Sequence, residues 1–295
     1  MLFVVAVALT AAGSALSAPP AVAHSDGRAC NVTSKSQSGE EAYYMNNFMP
    51  IGDRRSGGVY VEIGALDGWT HTNTRVLSKC HGWSGLLVEG NLNNYGNLLQ
   101  RMDRKNVTVH HSAVCEAPQR WTSMTLEGGA VATDTTRVSA QFQRKWKSVN
   151  RPSRTVRVPC APMHELLGDI DHVDFFSLDV EGAELTVVNT IDFRRVTIDT
   201  FVVELDGHDT GKDARVAYVL GREGYARCKV VYEKGSKVWG YSRNGWFRKD
   251  CHAEGGATPR LTHTRSLAGA TPQPNQHTSW AGRSPASHTR TLLRL

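Results

Sequence analysis

Acidic side chains stand in or just after the apolar runs of this 295-residue chain: Glu62 within Val59–Ile63, Glu89 after Gly85–Val88, Asp179 and Glu181 after Val173–Leu178, and Glu204 after Thr200–Val203. A carboxylate at the end of a buried strand is costly unless something hydrogen-bonds it, so Glu62 reads as a ligand contact, and the acids after the other runs, Glu204 included, stand on the side where open α/β sheets bind ligands. Asp179, Glu181 and Glu184 fall within six residues and could bind a substrate hydroxyl, take its proton or hold a divalent cation. Glu184 also suits a helix N-terminus, where the dipole stabilises an acid without any chemistry. His208 follows Glu204 closely, and its unperturbed pKa near neutrality fits a general base. His110 and His111 are adjacent in a strand and point to opposite faces, which argues against a shared metal.

Positioning these groups requires a βαβ frame. Val59–Ile63 reads as a parallel strand buried on both faces. Gly64 and Gly68 let the backbone turn and approach a ligand. Leu66 occupies the place where a dinucleotide fingerprint needs its second glycine, which disfavours an NAD-type pyrophosphate site. Thr70 or Thr72 can cap the following helix and Gly82 can end it. Glu89 lies 25 positions after Gly64, close to the interval at which such folds set a carboxylate on a ribose diol.

Further along, Leu92, Tyr95, Leu98, Leu99 and Met102 describe a helical stripe, and Val107–Val114 a third strand. Residues 116–153 read as a loop or hairpin insertion, and the overlapping run from Arg144 to Arg157 around Trp146 is basic, either a solvated loop or a surface for an anionic substrate. Arg154–Val158 can be a strand and Pro162–Leu167 a short helix entered through proline. Ala183, Val187, Val188 and Ile191 mark one helix, Ala214–Leu220 another. Strands near 226–232 and 237–243 would precede an Asn244-Gly245 hairpin turn into Trp246-Phe247. The expected class is α/β, mostly parallel and Rossmann-like, with an antiparallel hairpin at the C-terminal edge.

The turn E-I-G-A-L-D-G from Glu62, the pair Asn73-Thr74, the run G-W-S-G-L-L-V-E from Gly82 to Glu89 and F-F-S-L-D-V-E-G-A-E from Phe175 to Glu184 resemble the FkbM-type methyltransferase domain, in particular the eukaryotic branch that includes the Star protein. The resemblance spans Tyr43 to Cys251; Thr72 replaces a common serine, and Gly90-Asn91-Leu92 lacks a usual proline. It implies a class I methyltransferase fold using S-adenosylmethionine. In that frame Glu62, Gly64 and Gly68 hold the methionine end, Glu89 the ribose, and Ser112 and Ala113, at the end of the third strand, flank the adenine. Asp179, Glu181 and His208 are left for catalysis on a small-molecule or glycan acceptor, by O-methylation. Because Star-like members can keep the domain without turnover, a luminal or secreted interaction protein is the alternative.

The formal charge is +6, from 34 lysines and arginines against 28 acids, and an apolar share of 40% is enough for a core. No nucleic-acid motif, P-loop, G-x-S-x-G or H-E-x-x-H is present. Leu2–Leu16 is apolar but short for a membrane span and is followed by Ala21-Val22-Ala23, so residues 1–23 read as a signal peptide; only an uncleaved anchor would tie the chain to a membrane. Residues 24–40 form a polar lead-in, 41–251 the methyltransferase-like domain, and 252–295 a disordered basic tail. Six cysteines allow three disulfides in an oxidising compartment, with Cys228 and Cys251 flanking the expected hairpin; buried apolar thiols are the other reading. Asn31-Val32-Thr33 and Asn106-Val107-Thr108 are glycosylation sequons, meaningful in the secretory pathway.

Overall fold

The apolar run Val59–Ile63 forms strand β3 in the interior of a seven-stranded sheet. The computed structural model describes residues 22–23, 29–49, 57–138, 140–145, 155–205, 207, 209–230 and 244–251. The apolar run 2–16, Asp206, His208, residues 231–243 and the tail 252–295 lie outside them. No helix among the described residues is long and apolar enough to cross a membrane.

A short antiparallel pair, β1 (Val22–Ala23) and β2 (Ala29–Cys30), precedes helix α1 (Glu40–Asn47). Then come β3, α2 (Arg75–His81), β4 (Ser84–Glu89), α3 (Leu92–Arg101) and β5 (Val107–His111). After β6 (Ala113–Val114), β7 (Trp121–Thr125), α4 (Ala140–Lys145), β8 (Thr155–Ala161) and α5 (Met163–Leu167), the main sheet resumes with β9 (His172–Leu178). Helix α6 (Glu184–Asn189), β10 (Thr197–Glu204), α7 (Thr210–Arg222), β11 (Ala226–Arg227) and β12 (Asn244–Arg248) complete it.

The sheet order is β11-β12-β10-β9-β3-β4-β5; β3, β4, β5, β9 and β10 run parallel, and β12 is antiparallel to both neighbours. This is the class I methyltransferase arrangement expected from the sequence. Alternation along the strands builds two cores. Val61, Ile63, Leu86, Val88, Phe201 and Val203 pack with α5, α6 and α7, while Tyr60, Leu87, Phe175 and Val202 pack with Tyr44, Leu77 and Leu98 of α1, α2 and α3.

The insertion is a hairpin arm, because β7 pairs antiparallel with β8, which also pairs with β6. Several local expectations are corrected. Gly82 does end α2 in the left-handed conformation, but neither Thr70 nor Thr72 caps its start. Thr72 instead donates to Glu62, and the free N–H of Val76 reaches the Glu41 carboxylate of α1 at 2.5 Å. The α3 stripe is narrower than its spacing implied: Leu98 is buried, whereas Leu92 and Leu99 are exposed. Ser112 interrupts the third strand, whose last residues join the smaller sheet. Asn244-Gly245 is no turn, since both residues lie in β12, opposite Glu204 and Val203. Three disulfides take all six cysteines: Cys30–Cys80, Cys115–Cys160 and the expected Cys228–Cys251.

Candidate active site

Strand order reverses between β3 and β9, and open α/β sheets bind ligands beyond the carboxyl ends of strands at such a point. Two joined clefts open there, with about 580 and 1630 Å³ of empty space, sharing Ile63, Gly64, Leu66, Ala130, Asp179 and Glu181.

Glu89, Ser112 and Ala113 all line the smaller cleft. One Glu89 oxygen accepts the N–H of Leu66 at 2.8 Å and the other that of Asn91 at 2.7 Å. Burial pushes this carboxyl up to about 7, against the pull of those bonds. Leu66 itself has φ +51°, the left-handed conformation that a glycine would supply more cheaply. Of four non-glycine residues with positive φ among the described residues, three line the clefts: Leu66, His71 and Glu181. Backbone strain concentrated in this way is characteristic of functional sites.

Gly64 belongs to both clefts, and the structure brings it against the turn after β9. Gly68 is not brought to either cleft. Its φ is +68°, a Cβ there would stand 2.3 Å from Leu98 Cδ1, and its carbonyl accepts from Arg104 at 2.7 Å, so it serves the packing of α3. Glu62 borders the larger cleft, but its oxygens are engaged by Thr72 Oγ1 at 2.8 Å, Asn73 N at 2.9 Å and Thr74 Oγ1 at 2.5 Å. Arg104, fully buried, stands 3.7 Å from the same carboxylate and donates to Thr72 and Thr74. Glu62 therefore braces the 72–74 loop from within the sheet.

Asp179 and Glu181 line both clefts, and Glu204 the larger one. Burial, and next the charge of Glu181, raise the Asp179 carboxyl to about 8, and it hydrogen-bonds with Glu204. Its Oδ1 is buried without a hydrogen-bond partner. Oxygens of Asp179, Glu184 and Glu204 lie within 4.8 Å of one another. Glu184 is already committed: one oxygen takes the N–H groups of Val180 and Gly182, and the other pairs with Lys212. Sequence reasoning placed Glu204 on the ligand side without a role. It missed Glu40, which lines the larger cleft, and Asn94 and Asp134, which line the smaller one. Only the repeated asparagines at 91, 93 and 94 offered a signal for Asn94.

The sequence pattern of the methyltransferase FkbM domain matches residues 62–226, more than half of the chain. The chain belongs to the FkbM methyltransferase domain family. No curated protein matches it. Among solved structures, the methyltransferase FkbM of Methylobacillus flagellatus KT is 13% identical with a TM-score of 0.42; the match covers 71% of this chain and 47% of that one, so the chain spans about half the length of that relative. Aeropyrum pernix fibrillarin, solved with natively bound S-adenosyl-L-methionine, is 15% identical with a TM-score of 0.35, covering 70% of this chain and 72% of that one. Precorrin-6y C5,15-methyltransferase from Geobacter metallireducens GS-15 is 14% identical with a TM-score of 0.37, covering 74% and 88%. In this FkbM domain no lysine or arginine is among the described residues lining the two clefts. That wall suits a neutral or cationic ligand rather than a polyphosphate.

Proposed function

We propose that this domain is an S-adenosylmethionine-dependent methyltransferase acting on a hydroxyl of a neutral polyhydroxyl acceptor such as a glycan, in the secretory pathway. The observation that carries the reading is the pair of joined clefts: Glu89, Ser112 and Ala113 line one, and Asp179, Glu181 and Glu204 meet in the other. The residues present fit the cofactor. A buried carboxylate faces the place for a ribose, the bare backbone of Gly64 admits a close ligand, and the acidic wall suits a sulfonium cation. Basic residues that a dinucleotide's phosphates would require are not in that wall.

S-adenosylmethionine supplies the activated methyl group, and the protein's part is to align the acceptor and manage its proton. Glu89 would hold the ribose hydroxyls, and Glu62, through Thr72 and Thr74, stiffens the loop that would stand beside the methionine end. Asp179 keeps its proton at neutral pH and can donate a hydrogen bond to an acceptor oxygen. Glu181, whose charge acts on Asp179 in the same cleft, then takes the acceptor's proton. His208, four positions after Glu204 in the sequence, is the further base to test. The acidic larger cleft disfavours a sugar acid or phosphate as acceptor. Three disulfides support an oxidising compartment, and both sequon asparagines, Asn31 and Asn106, are exposed and open to glycosylation.

The test is transfer of labelled methyl from S-adenosylmethionine to a panel of neutral glycans and polyols. Label should appear on hydroxyl oxygen, and Glu181→Gln should slow it by roughly 10²–10⁴ with little change in cofactor affinity. Label on amines or carboxylates alone would overturn the acceptor class. Cofactor binding with no transfer to any acceptor would favour the non-catalytic interaction protein.

A further inference from the structure

The two clefts differ in what builds them. Every residue lining the smaller one falls between Ile63 and Val187, inside the segment that matches the FkbM pattern. The larger one adds Gln37, Ser38 and Glu40 from the chain before that segment and Asn244 from the chain after it. These two flanks are fastened to each other and to the sheet. Tyr43 and Phe48 pack against Trp246 of β12 at ring-centroid distances of 5.2 and 5.5 Å. Cys30–Cys80 ties the leading flank to α2, and Cys228–Cys251 brackets the trailing one. At the cleft itself, Asn244 Nδ2 donates to Glu40 Oε1 at 2.7 Å, while Oε2 of the same carboxylate accepts the N–H of Ser38 at 2.9 Å.

Glu40 is buried, and both its oxygens are engaged within the wall, so it holds the wall rather than a ligand. What the wall offers a ligand are the side-chain amides of Gln37, which is exposed, and Asn244, which is half-buried. Such amides are uncharged and can both donate and accept. We infer that Gln37 and Asn244 are specificity residues for the acceptor, their amides binding hydroxyls of a neutral sugar other than the one that is methylated. This rests on the methyltransferase reading above and adds where the acceptor's identity is read. A site built on such bonds rejects a sugar whose hydroxyl points elsewhere, because an amide is then left unpaired. The charge of Glu40 beside Asn244 disfavours a carboxylate or phosphate on the same sugar. Asn244 stands opposite Glu204 in the register of β10 and β12, so this wall and the acids proposed to meet the reacting hydroxyl border one space.

The experiment is transfer of labelled methyl from S-adenosylmethionine, by the full oxidised chain, to the methyl glycosides of glucose, galactose, mannose and xylose. Each of the last three differs from the first at a single ring position. Wild type should prefer one of the four, and Asn244→Ala and Gln37→Ala should each raise KM for it by about three- to tenfold, the loss of one neutral hydrogen bond, with kcat little changed. Preference over the other glycosides should shrink by the same factor, which a merely loosened fold would not produce. Affinity for S-adenosylhomocysteine, the demethylated cofactor, should stay at the wild-type value in calorimetry. Asn244→Ala leaves Glu40 Oε1 without its partner; if that variant fails to fold, Gln37→Ala, a truncation at an exposed position, decides the matter. The inference is overturned by wild-type KM values and preferences in the variants, by transfer to all four glycosides falling by one common factor, or by lost S-adenosylhomocysteine affinity in Gln37→Ala. A wild type that binds S-adenosylhomocysteine yet methylates none of the four also overturns it. If the wild type binds no S-adenosylhomocysteine, the proposed function fails first and this inference falls with it.

Discussion

A Cβ placed on Gly64 would stand 1.7 Å from the carbonyl oxygen of Asp179, so the turns that follow β3 and β9 meet backbone to backbone. Gly64 also has φ +84°. The contact fixes the two turns against each other, with the loop proposed to hold the cofactor on one side and the acids proposed to meet the acceptor on the other. Gly64→Ala should therefore cost at least about 2–3 kcal/mol, combining left-handed strain with a clash that backbone cannot relieve cheaply. Denaturant unfolding reads the cost, and a variant as stable as wild type would show that the turns are farther apart.

Glu89 is expected to be the main polar contact of the cofactor. Glu89→Ala should weaken S-adenosylmethionine binding by about 1.5–3 kcal/mol, the range for hydrogen bonds to a charged group. Part of that loss will come from the N–H groups of Leu66 and Asn91, which it also holds. Glu89→Gln keeps an oxygen for one of them and should lose less. Equal binding by wild type and Glu89→Ala would remove the residue from the site.

Legibility in the sequence followed distance along the chain. Strand ends were readable because largely apolar runs stop at carboxylates, and that located Glu89, Asp179 and Glu181 at the clefts. The Cys228–Cys251 pair was readable because both residues flank one hairpin. What failed depended on partners far away. Thr72 looked like a helix cap because its rival, Glu62, lies ten residues earlier on another element, and the true partner of the α2 start, Glu41, precedes the sheet altogether. Gly68 looked like a ligand glycine because Leu98, the atom group it makes room for, sits on α3. Asn244-Gly245 carries a strong turn signal, yet pairing with Val203 and Glu204 in the sheet overrode it. Residues 125–129 have no apolar period, since the side chains of Asn91, Asn93 and Asn94 rather than a hydrophobic face hold them.

The disulfide frame gives a compartment test. Peptide mapping of unreduced protein from a secreting eukaryotic host should recover Cys30–Cys80, Cys115–Cys160 and Cys228–Cys251, with glycan on Asn31 and Asn106. The Cys115→Ser/Cys160→Ser double variant opens a 45-residue loop and should lose about 2–4 kcal/mol of stability. Free thiols throughout and an unmodified mass would contradict a luminal life.

Glu41 sets a pH dependence. Burial, the largest cause, raises its carboxyl from 4.5 to about 7. The folded state thus binds this proton more tightly than the unfolded chain, so the group's contribution is most favourable below the unfolded value and declines as pH rises towards the folded one. Glu41→Gln keeps an oxygen for the Val76 N–H and removes the titration. Its advantage over wild type should grow from pH 5 to pH 7, by up to about 1.4 kcal/mol per pH unit, and then level off. Parallel unfolding curves at pH 5, 6, 7 and 8 measure it; a constant difference would mean that Glu41 ionises normally.

The central claim is that the clefts after β3, β4 and β9 form a live S-adenosylmethionine site, and calorimetry of the folded, oxidised protein with S-adenosylmethionine tests it most directly. The account predicts saturable one-to-one binding with a dissociation constant between about 1 μM and 1 mM, the ordinary range for enzyme substrates, weakened by Glu89→Ala. The absence of binding heat at millimolar cofactor, in protein shown to be folded with its disulfides intact, would contradict it.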